Sequence, residues 1–175
     1  MKLFAKLSPY FALAVAWIAT LGSLYLSEVK GFIPCTLCWY QRIAMYPLTI
    51  LIAIGILRRD AGVRKYVLPL SIIGIFVSAY HYLEQKTDLF PPFPCQMGIS
   101  CKADYLNWFG GVVTIPFLAL MAFLLITFFM VSSSLADEET GEEVEQLKQP
   151  TLLLPVLVTI FVVLVCFGFM KALGV

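Results

Sequence analysis

Residues 31–57 read GFIPCTLCWYQRIAMYPLTILIAIGIL, and this stretch decides what kind of fold the chain can adopt. From Trp39 to Leu57 it is largely apolar and carries a single charge, Arg42. A helix over 39–57 rises 1.5 Å per residue and is long enough to cross roughly 30 Å of hydrocarbon. Its entrance holds two cysteines three positions apart, Cys35 and Cys38, directly after Pro34. The stretch therefore reads as a membrane helix with a dithiol at its mouth.

Four further runs share that apolar character: 9–26, 66–83, 111–131 and 151–170. The 175-residue chain is 61% hydrophobic and only 13% charged, with a mean hydropathy of +0.90. A soluble domain is about one quarter charged. The charges sit in islands between the runs, as expected when a charge at the bilayer centre costs on the order of 3 kcal/mol. Pro47, Pro69, Pro116 and Pro155 fall inside runs, which packed transmembrane helices tolerate. Twelve basic residues against eleven acidic give a net charge of +1, so there is no polybasic field to hold nucleic acid.

The expected fold is an all-α integral membrane protein. An antiparallel four-helix transmembrane bundle occupies 1–131, and an acidic cytoplasmic connector follows over 132–150. An additional hydrophobic helix over 151–175 forms a fifth span. Lys2 and Lys6 precede the first run as in a signal peptide, but that run exceeds the usual h-region and no A-x-A site closes it, so it is expected to stay as a span.

Basic residues set the orientation. Lys2 and Lys6 lie before the first run, and Arg58, Arg59, Arg64 and Lys65 fill the loop between the second and third. Both are expected on the cytoplasmic side. The loops after the first and third runs then face outward. Cys35 and Cys38 lie at the end of one, and Cys95 and Cys101 lie in the other, within PPFPCQMGISCK. Outside the cytoplasm, four such cysteines read as two candidate disulfides. Cys166, deep in the last apolar run, reads as a small buried hydrophobe.

A Cys-x-x-Cys at a helix start suits redox chemistry, because free backbone N–H groups and the helix dipole there stabilise a thiolate. On those grounds Cys35 is the more stabilised of the two. Arg42 follows Cys38 by four residues and projects from the same helical face, where it can stabilise a thiolate or an anionic reaction partner, or snorkel to headgroups. Prolines 91, 92 and 94 hold the second pair in an extended segment. That pair is either a static staple or the exposed station of a relay, because thiol–disulfide exchange passes two electrons per step between dithiols.

A relay needs an acceptor at membrane depth. The chain has no dinucleotide fingerprint and a single histidine, His81, so it cannot supply bis-histidine haem ligation. A lipid-soluble quinone is the simplest two-electron acceptor left. His81 closes the third run on the side of the Cys35–Cys38 entrance, placed to hydrogen-bond a quinone carbonyl or carry a proton.

The motif PCTLCWYQR, followed by AYHYLEQ and a second cysteine pair, resembles the DsbB family of disulfide bond formation proteins, and within it the Gram-positive BdbC type. The resemblance covers about residues 5–131. It implies an antiparallel four-helix membrane bundle and disulfide exchange with a DsbA- or BdbD-like thioredoxin-fold protein outside the membrane. It further implies that Cys95 and Cys101 form the disulfide attacked by that partner, with Cys95 the site of the mixed disulfide. Electrons would pass to Cys35–Cys38 and then to quinone, with menaquinone favoured over ubiquinone by the Gram-positive character. Cys38, Arg42 and His81 would line the quinone site, which moves the quinone contact from Cys35 to Cys38. The short spacing of Cys95 and Cys101, and the fifth apolar run, depart from well-known Gram-negative members. Two rival readings remain from the residues alone: a membrane scaffold or transporter with structural disulfides, and a Cys₄ zinc site.

Overall fold

The computed structural model describes residues 2–87, 101–102, 105–106 and 111–140. Four helices dominate it: α1 (Lys2–Leu24), α2 (Thr36–Arg58), α3 (Arg64–Lys86) and α4 (Ile115–Thr140). A π-helical turn, Tyr25–Val29, prolongs α1, and a 3₁₀ turn, Ala61–Val63, leads into α3. Four segments are long and apolar enough to span a membrane: Leu7–Val29, Thr36–Arg58, Arg64–Lys86 and Ile115–Ser133. The described chain is thus the expected all-α four-helix membrane bundle. The fifth apolar run, and Cys95 and Cys166, lie outside the described residues.

The helices form an antiparallel ring in which α1 packs on α2 and α4, and α3 packs on the same two. Leu13, Leu48, Ile52, Phe123 and Ile126 fill the middle, each with at most 1% of its surface exposed. Ile18, Ile43, Ile50, Phe76 and Phe128 point outward and are exposed, so the helices are apolar on every side, as lipid-facing helices are. Since lipid is as apolar as leucine, burial gives little drive for helix association; close packing and interhelical hydrogen bonds must provide it. Thr20 and Thr49 hydroxyls meet at 3.0 Å across α1 and α2. Thr127 Oγ1 donates to Ser71 Oγ at 2.9 Å across α4 and α3. Between α3 and α4, Gly74 lies flat against the Phe123 ring, where any Cβ would overlap it.

The basic loop between α2 and α3 is tight. Arg59 takes the left-handed conformation (φ 53°) that ends α2, and Asp60 Oδ1 accepts from the Gly62 N–H at 2.7 Å to start the next turn. At the other end of α2, Pro34 and Cys35 are extended before the helix begins at Thr36, three residues earlier than the hydropathy run suggests. α4 begins at Ile115 rather than 111, because Gly111 has φ +87°, and its helix continues to Thr140.

Candidate functional site

Cys35 is the N-cap of α2, with φ −71° and ψ 172°. Its sulfur accepts the backbone N–H of Cys38 at 3.4 Å, the place a serine or aspartate oxygen usually takes in a cap. The same geometry brings the two sulfurs to 3.1 Å. Both thiols are free. Cys35, at the mouth of the helix, has its pKa held well below the ordinary thiol value. The hydrogen bond with the Cys38 thiol is the main cause; burial opposes it, and His81 and the Cys38 backbone N–H assist.

Cys101 packs with Cys35 and Leu37 in a small buried cluster, flanked by Cys38 and Tyr80. Cys101 is itself disulfide-bonded. Two cysteine stations distant in sequence therefore meet at one end of the bundle, opposite the basic α2–α3 loop. A disulfide-bonded Cys101 offers no thiolate to a metal, so the Cys₄ zinc reading does not assemble here. Among the described residues, Cys35, Cys38 and His81 keep their ligand atoms within 4.8 Å of one another.

His81 comes from α3 and is 2% exposed. Its Nε2 lies 3.2 Å from the Cys101 carbonyl oxygen and 3.6 Å from Cys35 Sγ. Its Nδ1 lies 3.0 Å from Gln41 Nε2, on α2. Gln41 is buried, and sequence reasoning did not single it out. The available signal was its spacing: it follows Cys38 by three residues and so shares that helical face. Arg42 directs its hydrogen bond to α1 rather than to either sulfur. It donates to the Ser23 carbonyl at 3.2 Å and lies over the Trp39 ring at 5.6 Å, so α1 and its own helix hold it in place.

These side chains line one end of a cavity of about 490 Å³ between the four helices. Cys35, Cys38, Gln41, Arg42 and His81 form its polar end, and Val15, Ile18, Met45 and Leu125 are among its apolar walls. Phe32 and Tyr105, also lining it, stack at 4.8 Å with 15° between their planes. That volume falls within the roughly 300–1,000 Å³ of small-molecule sites, and the mix of apolar wall and few polar groups is typical of them. A flat apolar ring with polar oxygens and a greasy tail suits this lining, so the residues present fit a quinone.

Comparison with known proteins places the chain among disulfide-forming membrane proteins. The sequence model described as disulfide bond formation protein DsbB matches residues 6–135. The chain is 57% identical over 122 residues to "Disulfide bond formation protein C" of Bacillus subtilis, covering 69% of this chain and 88% of that protein. It is 48% identical over 121 residues to "Probable disulfide formation protein C 1" of Bacillus anthracis, covering 66% and 86% respectively. A Coxiella burnetii protein named "Probable disulfide formation protein" is 45% identical over 131 residues, covering 74% and 89%. No solved structure matches the chain. With a free dithiol capping one membrane helix, a disulfide-bonded cysteine packed against it, and a family match spanning all four helices, this chain belongs to the DsbB family of disulfide bond formation proteins.

Proposed function

We propose that this membrane thiol–disulfide oxidoreductase reoxidises an extracytoplasmic thioredoxin-fold protein of the DsbA or BdbD kind and delivers the electrons to membrane quinone. The observation that carries this reading is the shared burial of Cys35 and Cys101, with Cys35 and Cys38 both lining the cavity. Cys95 is taken as the disulfide partner of Cys101.

The exchange balances as follows. A thiolate of the external protein attacks Cys95, forming a mixed disulfide and releasing the Cys101 thiolate. Cys101 attacks Cys35 of the Cys35–Cys38 disulfide, so a Cys101–Cys35 bond forms and the Cys38 thiolate leaves. The second thiol of the external protein displaces Cys95, and that protein departs oxidised. Cys95 then displaces Cys35 from Cys101, restoring the outer disulfide. Two electrons have moved to Cys35 and Cys38, each step being thiolate attack on a disulfide. A bound quinone supplies an acceptor for those two electrons and two protons. Arg42 offers a permanent positive charge to a quinone oxygen, and His81 and Gln41 offer hydrogen bonds at the same end of the cavity. The apolar walls exclude water from the dithiol. Menaquinone is the favoured acceptor, with ubiquinone the alternative. Both cysteine pairs face outward and the N-terminus lies in the cytoplasm.

Trapping tests the partner step. In a Cys101→Ser variant, Cys95 has no resolving neighbour, so incubation with the oxidised thioredoxin-fold protein should leave a stable mixed disulfide. Mass spectrometry should place the adduct on Cys95; absence of any adduct overturns the reading.

A further inference from the structure

Two hydrogen-bond acceptors face the same nitrogen of His81. The Cys101 carbonyl oxygen lies 3.2 Å from Nε2, and Cys35 Sγ lies 3.6 Å from it. A carbonyl oxygen has no proton to give, so the Nε2 edge must carry the N–H. In the neutral ring Nδ1 is then an acceptor, and it needs a donor because His81 is 2% exposed. Gln41, 5% exposed, lies 3.0 Å from it through its amide nitrogen. The orientation of that amide therefore follows from the other side of the ring. A leucine or a carboxylate at position 41 could not fill the role.

We propose that Gln41 is a positioning residue that fixes His81 as the Nε2–H tautomer, so that one N–H is shared between the Cys35 sulfur and the Cys101 backbone. This rests on the reading of Cys35 as a redox thiol. When Cys35 and Cys38 form a disulfide, the Cys35 sulfur is a weak acceptor and the N–H belongs to Cys101. When Cys35 is a thiolate, it is the stronger acceptor and draws the N–H toward itself, loosening the Cys101 contact. The ring thus ties the redox state of the inner pair to the segment bearing the outer disulfide. It also favours the reduced state of the inner pair, since only the thiolate gains a charge-assisted hydrogen bond.

The whole chain holds one histidine, so ¹⁵N-histidine labelling gives the ring signals of His81 alone. The full-length, reduced, quinone-free protein should show the Nε2–H tautomer. In Gln41→Leu that preference should be lost. In Gln41→Glu, whose ionised carboxylate can only accept at that position, Nδ1 should carry a proton in addition to Nε2. The second readout is the equilibrium of Cys35 and Cys38 with a glutathione buffer, followed by thiol labelling of those two residues. Gln41→Leu should shift it about tenfold toward the disulfide, roughly 30 mV more negative. A native Nδ1–H tautomer, or unchanged tautomer and equilibrium in both variants, overturns the proposal. Neither readout uses the external protein or a quinone. A failure of the relay with an intact tautomer, or the reverse, therefore separates the two.

Discussion

His81 donates from Nε2 to the carbonyl oxygen of Cys101 at 3.2 Å, joining α3 to a loop residue twenty positions further along the chain. Both groups are buried, so the bond lies where water competes least and an unmade partner costs most. It places the disulfide-bonded Cys101 against the Cys35–Cys38 dithiol, and the proposed electron path depends on that contact.

Arg42 lines the cavity and is held there by the Ser23 carbonyl and the Trp39 ring. Arg42→Ala should therefore raise the KM for quinone about tenfold or more, the worth of a charge-assisted hydrogen bond. Thiol exchange with the external protein should stay within about twofold. Steady-state kinetics with quinone varied, beside a single-turnover exchange assay, separates these effects. Unchanged quinone kinetics would return Arg42 to a headgroup-anchoring role.

Cys35 should remain a thiolate far into acid. Its pKa in the fold is lowered from 9.0 to about 4, first by the hydrogen bond with Cys38. A folded pKa below the unfolded one stabilises the reduced fold fully above the ordinary thiol pKa, and that contribution fades as pH falls through about 4. The ultraviolet thiolate absorbance of the reduced protein, taken as a difference from Cys35→Ser, should persist at about pH 6 and vanish only near the lowered pKa. Absorbance lost between about pH 9 and 8 would mean an ordinary thiol.

Gly74 leaves no room for a side chain beside the fully buried Phe123. Gly74→Ala should destabilise the α3–α4 contact by about 1–3 kcal/mol, the usual cost of overpacking. Thermal unfolding in detergent measures it. Adding Phe123→Leu should recover part of the loss, and no loss in Gly74→Ala would show that the ring has space to move.

Much of this arrangement was legible in the sequence. The apolar runs gave the four described helices, since hydropathy over a span is additive and needs no tertiary information. Pro34 and Cys35 marked the start of α2, and the i, i+3 spacing of the cysteines set the dithiol on a cap. His81 fell level with that dithiol because two membrane helices of similar length joined by a tight turn must end together. Other features depended on neighbours that no local pattern encodes. Gln41 reads as an ordinary interfacial amide until α3 places His81 beside it. The Arg42 contact with Ser23 needs the position of α1, which a hydropathy run does not carry. The early end of the first run at 26 was a composition effect: Ser27 and Glu28 are polar, yet the helical path continues through the π turn to Val29. There Ser27 Oγ returns its hydrogen bond to the Ser23 and Leu24 carbonyls.

Electron delivery to quinone can be followed in a single turnover. Purified full-length protein, loaded with quinone and mixed with the reduced thioredoxin-fold protein, should reduce one quinone for each dithiol oxidised, as two-electron exchange requires. In Cys35→Ser the quinone signal should not change at all, while a mixed disulfide at Cys95 still forms. Quinone reduction that proceeds at the native rate in Cys35→Ser would contradict a relay through the inner dithiol.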